Sequence, residues 1–267
     1  MNNKKISESI KGLFLGLGAG DLIGGPTAMN IIFAESLLAL KYFDFQDLKN
    51  RYIDWFIKDG FDTGFVTGKV LELLSQGADV QVAVELVHNN HSYMTGGCNP
   101  VHRAFPLAAA SFISDEAIVK CAIAQASLTH YSKIAGDVAA ATLVLVRQLI
   151  KGQSWEEAKQ IAAENRMEET KYALLDVAKN KISSSGYAPD VLRTAIYFLD
   201  QFENFQVALE NSIKFAGGSN YSPILVGAIG GARWGEKEIP ETLWERNKNH
   251  LKLIEIAEKM LLSWQKI

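Results

Sequence analysis

Apolar residues recur at three- and four-residue spacing along almost the whole chain, and that period fits α-helix and little else. Val66, Val70, Leu73 and Leu74 follow it, as do Ile134, Val138, Ala141, Leu145 and Leu149, and again Leu253, Ile254, Ala257, Met260 and Leu261. Start signals agree. Ser154 stands three residues before Glu157, the spacing of a capping box. Ser114 precedes Asp115 and Glu116, acids that suit a helix N-terminus. Gly77, Gly152 and Gly186 stand where helices are expected to stop. Alternating apolar runs of the strand type are scarce. The expectation is an all-α fold of roughly a dozen helices, from a mean helix length of about 11 residues. With 267 residues, six prolines, no Pro/Ser-rich linker and no internal repeat, one domain over residues 1–267 is the simplest organisation.

Composition removes several classes. A hydrophobic share of 48% is too high for a disordered chain. No run of about 18 apolar residues occurs, so no membrane span is expected. The net charge of -3, without a Lys/Arg cluster, argues against nucleic acid as a partner. Cys98 and Cys121 are too few for a disulfide framework or a metal knuckle. Met1 to Glu8 lacks the apolar stretch of a secretory leader, so the expected compartment is the cytoplasm.

In an all-helical chain, chemistry comes from loops and helix ends that converge, and four segments break the ordinary pattern. In the first, Gly12, Gly16 and Gly20 recur every four residues and line one helix face, which permits close packing. Asp21 then ends the apolar stretch, either as a helix cap or as a buried carboxylate at a site. In the second, Asp62 and Thr63 can cap a helix over residues 63–74 or offer oxygen ligands to a hard cation. In the third, Gly96, Gly97, Cys98 and Asn99 precede Pro100, His102 and Arg103, a small-residue loop of the kind that lets backbone N–H groups approach an anion. In the fourth, Gly217, Gly218, Ser219, Asn220, Tyr221 and Ser222 open a Gly/Ala-rich helix from 224 to 233.

Taken together, these segments resemble the ADP-ribosylglycohydrolase family, which includes the dinitrogenase reductase-activating glycohydrolases. The likeness runs from about Ile10 to Trp244. The family's opening pattern is similar to residues 16–26. Its Gly-Asn-Gly…Met-Arg…Pro loop resembles Gly97-Cys98-Asn99-Pro100-Val101-His102-Arg103-Ala104-Phe105-Pro106, and its Thr-His resembles Thr129-His130. Residues 186–192 and 227–240 resemble two later family segments. The resemblance implies an all-α protein that uses two Mg²⁺ or Mn²⁺ ions to cleave the glycosidic bond of ADP-ribosylated substrates.

The departures from the pattern matter as much. The family's Thr-Asp-Asp-Thr aligns with Gly60-Phe61-Asp62-Thr63, which keeps one Asp and one Thr. Its later Asp-Thr-Asp-Thr aligns with Ser219-Asn220-Tyr221-Ser222, which keeps only a hydroxyl. Ala28 stands where many members carry a Glu. Paired dications need several acidic oxygens, and one certain carboxylate cannot balance them in a partly dehydrated cleft. Asp21 and Asp59 are the nearby acids that can lend charge.

The reading is therefore a family fold that has lost its dinuclear Mg/Mn site, with room for one weakly held divalent ion and no other cofactor. It keeps a cleft for a small ligand such as ADP-ribose or a nucleotide. The candidate catalytic groups are Asp62, Asp21, His102 and Tyr221, with His102 a potential base near neutrality. Phe61, Thr63, Gly97, Cys98, Asn99, Arg103, Gly217, Gly218, Ser219, Asn220 and Ser222 are candidate ligand contacts, Phe61 and Tyr221 as stacking faces or as fillers of the lost metal space. His88 and His91 receive no role. A metal-independent glycosidic enzyme and a non-catalytic binder remain open. So do a working Mg²⁺-dependent hydrolase and an immunity-type interaction protein.

Overall fold

Two helices that share a row of glycines form the centre of the molecule. In the computed structural model, which describes residues 3–218 and 221–264, α1 (Asn3–Gly20) lies against α14 (Ser222–Trp234) with opposite direction. A Cβ placed on Gly12 would stand 2.1 Å from the Gly231 carbonyl oxygen, and one on Gly16 would stand 2.1 Å from that of Gly227. The relation is mutual, since a Cβ on Gly231 would stand 2.0 Å from the Gly12 oxygen. The four-residue spacing thus finds its counterpart at Gly227 and Gly231. The backbones touch where other residues would put side chains. Because the pair is antiparallel, Gly20 meets Pro223, and the loops after α1 and before α14 emerge at the same end.

The other helices wrap this pair. Among the described residues there are sixteen α-helices and no strand, with one isolated bridge between Gly97 and Tyr187. That exceeds the dozen expected because α6 (Asn99–His102), α7 (Phe105–Ala109) and α15 (Glu241–Trp244) are a turn or little more. The periodic segments become α4 (Phe65–Ser75), α9 (Lys133–Lys151) and α16 (His250–Trp264). α9 is buried along most of its length. No helix of the described residues is long and apolar enough to cross a membrane.

Local signals are mostly honoured. Ser154 and Glu157 form the capping box of α10 (Trp155–Ala163), Gly152 closes α9 at φ 92°, and Gly77 follows α4 at φ 90°. Gly186 does not stop a helix. It lies in the loop before α12 (Ala188–Gln201), where its carbonyl accepts a hydrogen bond from the Cys98 N–H at 3.2 Å. The helix expected from Thr63 starts at Phe65 behind Gly64, and neither Asp62 nor Thr63 caps it. Asp62 turns the other way, towards α2 (Gly25–Leu40).

Candidate functional site

The end of the α1–α14 pair gathers the loop at 21–24, the turn at 61–64 after α3 (Phe45–Asp59), the loop and turn at 95–102, and Tyr221. Each is held by bonds readable from its residue types. Asp21 is buried, and its carboxylate accepts from the N–H groups of Ile23 (3.3 Å), Gly24 (2.8 Å) and Thr27 (2.7 Å). It therefore ties down the entry to α2, where backbone donors lack partners. Asp62 sits at φ 49°, an unusual backbone for a residue with a Cβ, and its Oδ2 accepts from the Gly25 N–H at 3.3 Å. Gly25 is required there, since a Cβ would come within 2.7 Å of the Asp62 Cβ. Asn99 locks the third loop to the second by donating its amide to the Thr63 carbonyl. Asn30 of α2 donates to the His102 carbonyl at 2.5 Å, which fixes α6.

Two adjoining hollows result. The inner one, about 170 Å³, is lined by Ile23, Pro26, Asp62, Gly64, Asn99, His102, Gly218 and Tyr221. The outer cleft, about 590 Å³, shares Gly64, Asn99 and Tyr221 with it and adds Phe65, His91, Tyr93, Met94, His130 and Tyr187 among others. Tyr221 is the wall between them. Its ring runs nearly parallel to that of His102, with centroids 6.4 Å apart and 17° between planes, and it rests against Gly186. A larger hollow of about 700 Å³ opens between α2 and α16, lined by Leu38, Phe112 and Ile256 with lysines at its edge. It shares no residue with the converging loops, so the smaller pair is the better candidate for chemistry.

The electrostatics follow from burial. His102 is pushed down to about 4, first by desolvation, with the Asp21 charge and the Tyr221 backbone pulling weakly the other way. It is neutral at physiological pH, and its Nε2 has no hydrogen-bond partner of good geometry. Burial thus works against the base near neutrality expected of it. Burial also holds the Cys98 thiol well above its ordinary value, so it stays protonated, 3.9 Å from His102 Nδ1. The Tyr221 phenol is raised, first by desolvation and further by the nearby Asp62 carboxylate.

Several expected residues fall outside the cleft. Arg103 is fully buried and faces the interior. Its Nε donates to Gln125 Oε1 (3.0 Å), and its Nη2 donates to the Gln125 carbonyl (2.8 Å) and Thr129 Oγ1 (2.9 Å). The guanidinium lies 5.3 Å from the Tyr52 ring centroid. It joins α6 to α8 (Asp115–Ser127) and has no face for a ligand. Phe61 lies beside the inner hollow, with the Lys248 ammonium 4.1 Å over its ring and Trp55 at its edge. Cys98 and Ser222 are buried. Thr63 caps nothing, and its hydroxyl donates to the Gly64 carbonyl. Gly97 lines the outer cleft and Gly218 the inner hollow, whereas Gly217 ends α13 (Phe205–Ala216) in the open. Ser219 and Asn220 lie outside the described residues.

The cleft also contains residues that sequence reasoning passed over. Phe65 is 60% exposed and packs on His91 with ring centroids 4.7 Å apart. Tyr93 is 70% exposed, at the end of two successive positive-φ residues, Ser92 and Tyr93. Tyr187 donates its hydroxyl to Glu169 at 2.5 Å. An aromatic directly after the turn that holds Gly60 and Gly64 was the available signal for Phe65. Nothing in local spacing marks the left-handed kink that aims Tyr93. Among the described residues, no three His, Cys, Asp or Glu side chains gather as a metal site.

Comparison with known proteins gives this arrangement its family. The family model for ADP-ribosylglycohydrolase matches residues 2–266, and the chain belongs to that family. It is similar to the human ADP-ribosylhydrolase ARH3, 28% identical over 269 residues, a match covering 83% of this chain and 73% of that protein. Its fold is that of a solved structure described as an ADP-ribosylglycohydrolase-related protein complex, with a TM-score of 0.78 and 19% identity. That likeness covers 97% of this chain and 99% of the other.

Proposed function

We propose that this family member no longer runs a two-metal hydrolysis and keeps its cleft to bind a small ribosyl- or nucleotide-like ligand. One observation carries the reading: Asp62 is the only carboxylate among the described residues lining the inner hollow. Two divalent cations bring four positive charges and prefer six or more oxygen ligands each. Asp62 with an amide, a neutral imidazole and a phenol does not fit that demand. Asp21 is already engaged by three backbone N–H groups. At the position aligned with a family carboxylate, Phe61 instead carries the Lys248 ammonium on its face.

Binding is favoured over turnover by the state of the remaining groups. A general acid or base works best with a pKa near the working pH. His102 is too weak a base and Tyr221 too weak an acid. Rings, by contrast, are plentiful: Phe65, Tyr93, Tyr187 and Tyr221 face the outer cleft, and flat ligands stack on such faces.

The test is titration with ribonucleosides and with ADP-ribose. At least one is expected to bind saturably, and Tyr221→Ala should weaken it by roughly 1–3 kcal/mol. Binding of none to the folded protein refutes the reading. So does hydrolysis of an ADP-ribosylated peptide that stops when a chelator is added.

A further inference from the structure

The end of the α1–α14 pair remote from the cleft holds a hollow of its own. Gly20 marks the cleft end of α1, and Lys5 stands about 22 Å before it along the helix. The hollow measures about 330 Å³ and is lined by Lys4, Lys5, Glu8 and Ser9 of α1 and by Arg233 and Trp234 of α14. Three of these carry positive charge and one is an acid. Glu8 is answered from outside the hollow, since Lys237 Nζ donates to its Oε1 at 2.9 Å. Residues 1 and 2 are Met and Asn, so they add no acid. The lining therefore keeps an excess of positive charge.

Two of the cations are fixed in place. Lys5 Nζ donates to the Gly152 carbonyl at 3.2 Å. The Arg233 guanidinium is stacked between Trp155 and Trp234, 4.5 and 4.8 Å from their ring centroids, and its Nη1 donates to the Leu199 carbonyl at 2.5 Å. Asp200, Glu156 and Glu203 bear on Arg233 from outside the hollow, and Lys159 pairs with the first two. Ser9 adds a neutral donor. It is 2% exposed, and its hydroxyl makes no hydrogen bond among the described residues. Buried hydroxyls normally have a partner, so this one is left for an occupant of the hollow. The structure assigns to this hollow a phosphate-type dianion, free or as a small monoester, with Lys4, Lys5 and Arg233 balancing its charge and Ser9 donating to one of its oxygens. The assignment is independent of the ligand proposed for the cleft, which shares no residue with this hollow.

Titration calorimetry at pH 8, where a phosphomonoester is dianionic, tests it with inorganic phosphate and glycerol 3-phosphate, and with nitrate at equal ionic strength as the control. At least one phosphate probe is expected to saturate at one site per chain, and nitrate is not. The tighter of the two names the source, a free ion or a small ester. Ser9→Ala should weaken the binding about tenfold and Lys5→Gln about threefold. Without phosphate, Ser9→Ala should melt no lower than the parent, because it removes a buried hydroxyl that has no partner. Tyr221→Ala should leave phosphate binding as it is. The assignment is overturned if nitrate binds as well as phosphate, if both α1 variants bind like the parent, if Tyr221→Ala abolishes the binding, or if no phosphate probe binds the folded protein.

Discussion

Replacing Gly16 by alanine probes the contact on which the whole site depends. The new Cβ would lie 2.1 Å from the Gly227 carbonyl oxygen, against an optimum of about 3.5 Å for such a pair. The neighbour is backbone inside a helix, so it cannot rotate away. α1 and α14 must part by roughly 1 Å or more, a gap that forfeits about a quarter to a half of the dispersion attraction of each lining atom. Overpacking of this kind costs about 1–3 kcal/mol, and lost contacts along the rest of the helix pair add to it. Alanine's better helix propensity returns about 1 kcal/mol. With the lost contacts added, the net is a destabilisation of about 1–2 kcal/mol or more, roughly 2–8 °C in melting temperature for a chain of this size. Gly218→Ala is the control, because nothing lies within 4 Å of a Cβ there. Its stability should stay within about 0.5 kcal/mol of the parent. Calorimetric melting of both variants decides the matter. A Gly16→Ala protein that melts within about 1 °C of the parent refutes the interlocked backbones.

Two further outcomes are expected. His102 is held at about 4 in the fold against an ordinary 6.5, and His130 is also depressed. The unfolded chain therefore binds protons that the fold does not, so stability is full above pH 6.5 and falls as pH drops towards 4, by about 1.4 kcal/mol per pH unit for each histidine. Urea unfolding at pH 7.5, 6 and 5 measures the slope, and His102→Gln should remove part of it. Arg103→Met removes a buried cation and leaves Gln125 and Thr129 without its hydrogen bonds, which should cost about 1–3 kcal/mol by the same measurement. Ligand affinity at the cleft should not follow Arg103, since its head group does not face it.

The sequence carried the fold in its helical period and its glycine row, because both are consequences of local geometry. Gly12, Gly16 and Gly20 announced a close approach, but not to which helix, since Gly227 and Gly231 lie some two hundred residues away. The site was legible where residue type alone fixes a role. Asp21 clamps its loop as the capping reading of it allowed, whereas Asn99, expected as a ligand contact, gives its amide to the Thr63 carbonyl. It was not legible where burial decides. Arg103 and His102 are one residue apart on a single helical turn, yet the first faces inward and the second lines the inner hollow. Nor does spacing reveal that Phe65 and Tyr187, far apart in sequence, form walls of one cleft with Tyr221. Tertiary packing brings them together, and pattern alone does not encode which partners it selects.

The central claim is one of charge: among the described residues, a single carboxylate lines the inner hollow, too few for paired dications. Titration calorimetry with Mg²⁺ and with Mn²⁺ on the metal-stripped chain tests it directly. The account predicts at most one weak binding event per chain. Two ions bound per chain, both lost when Asp62 is changed to Asn, would contradict it.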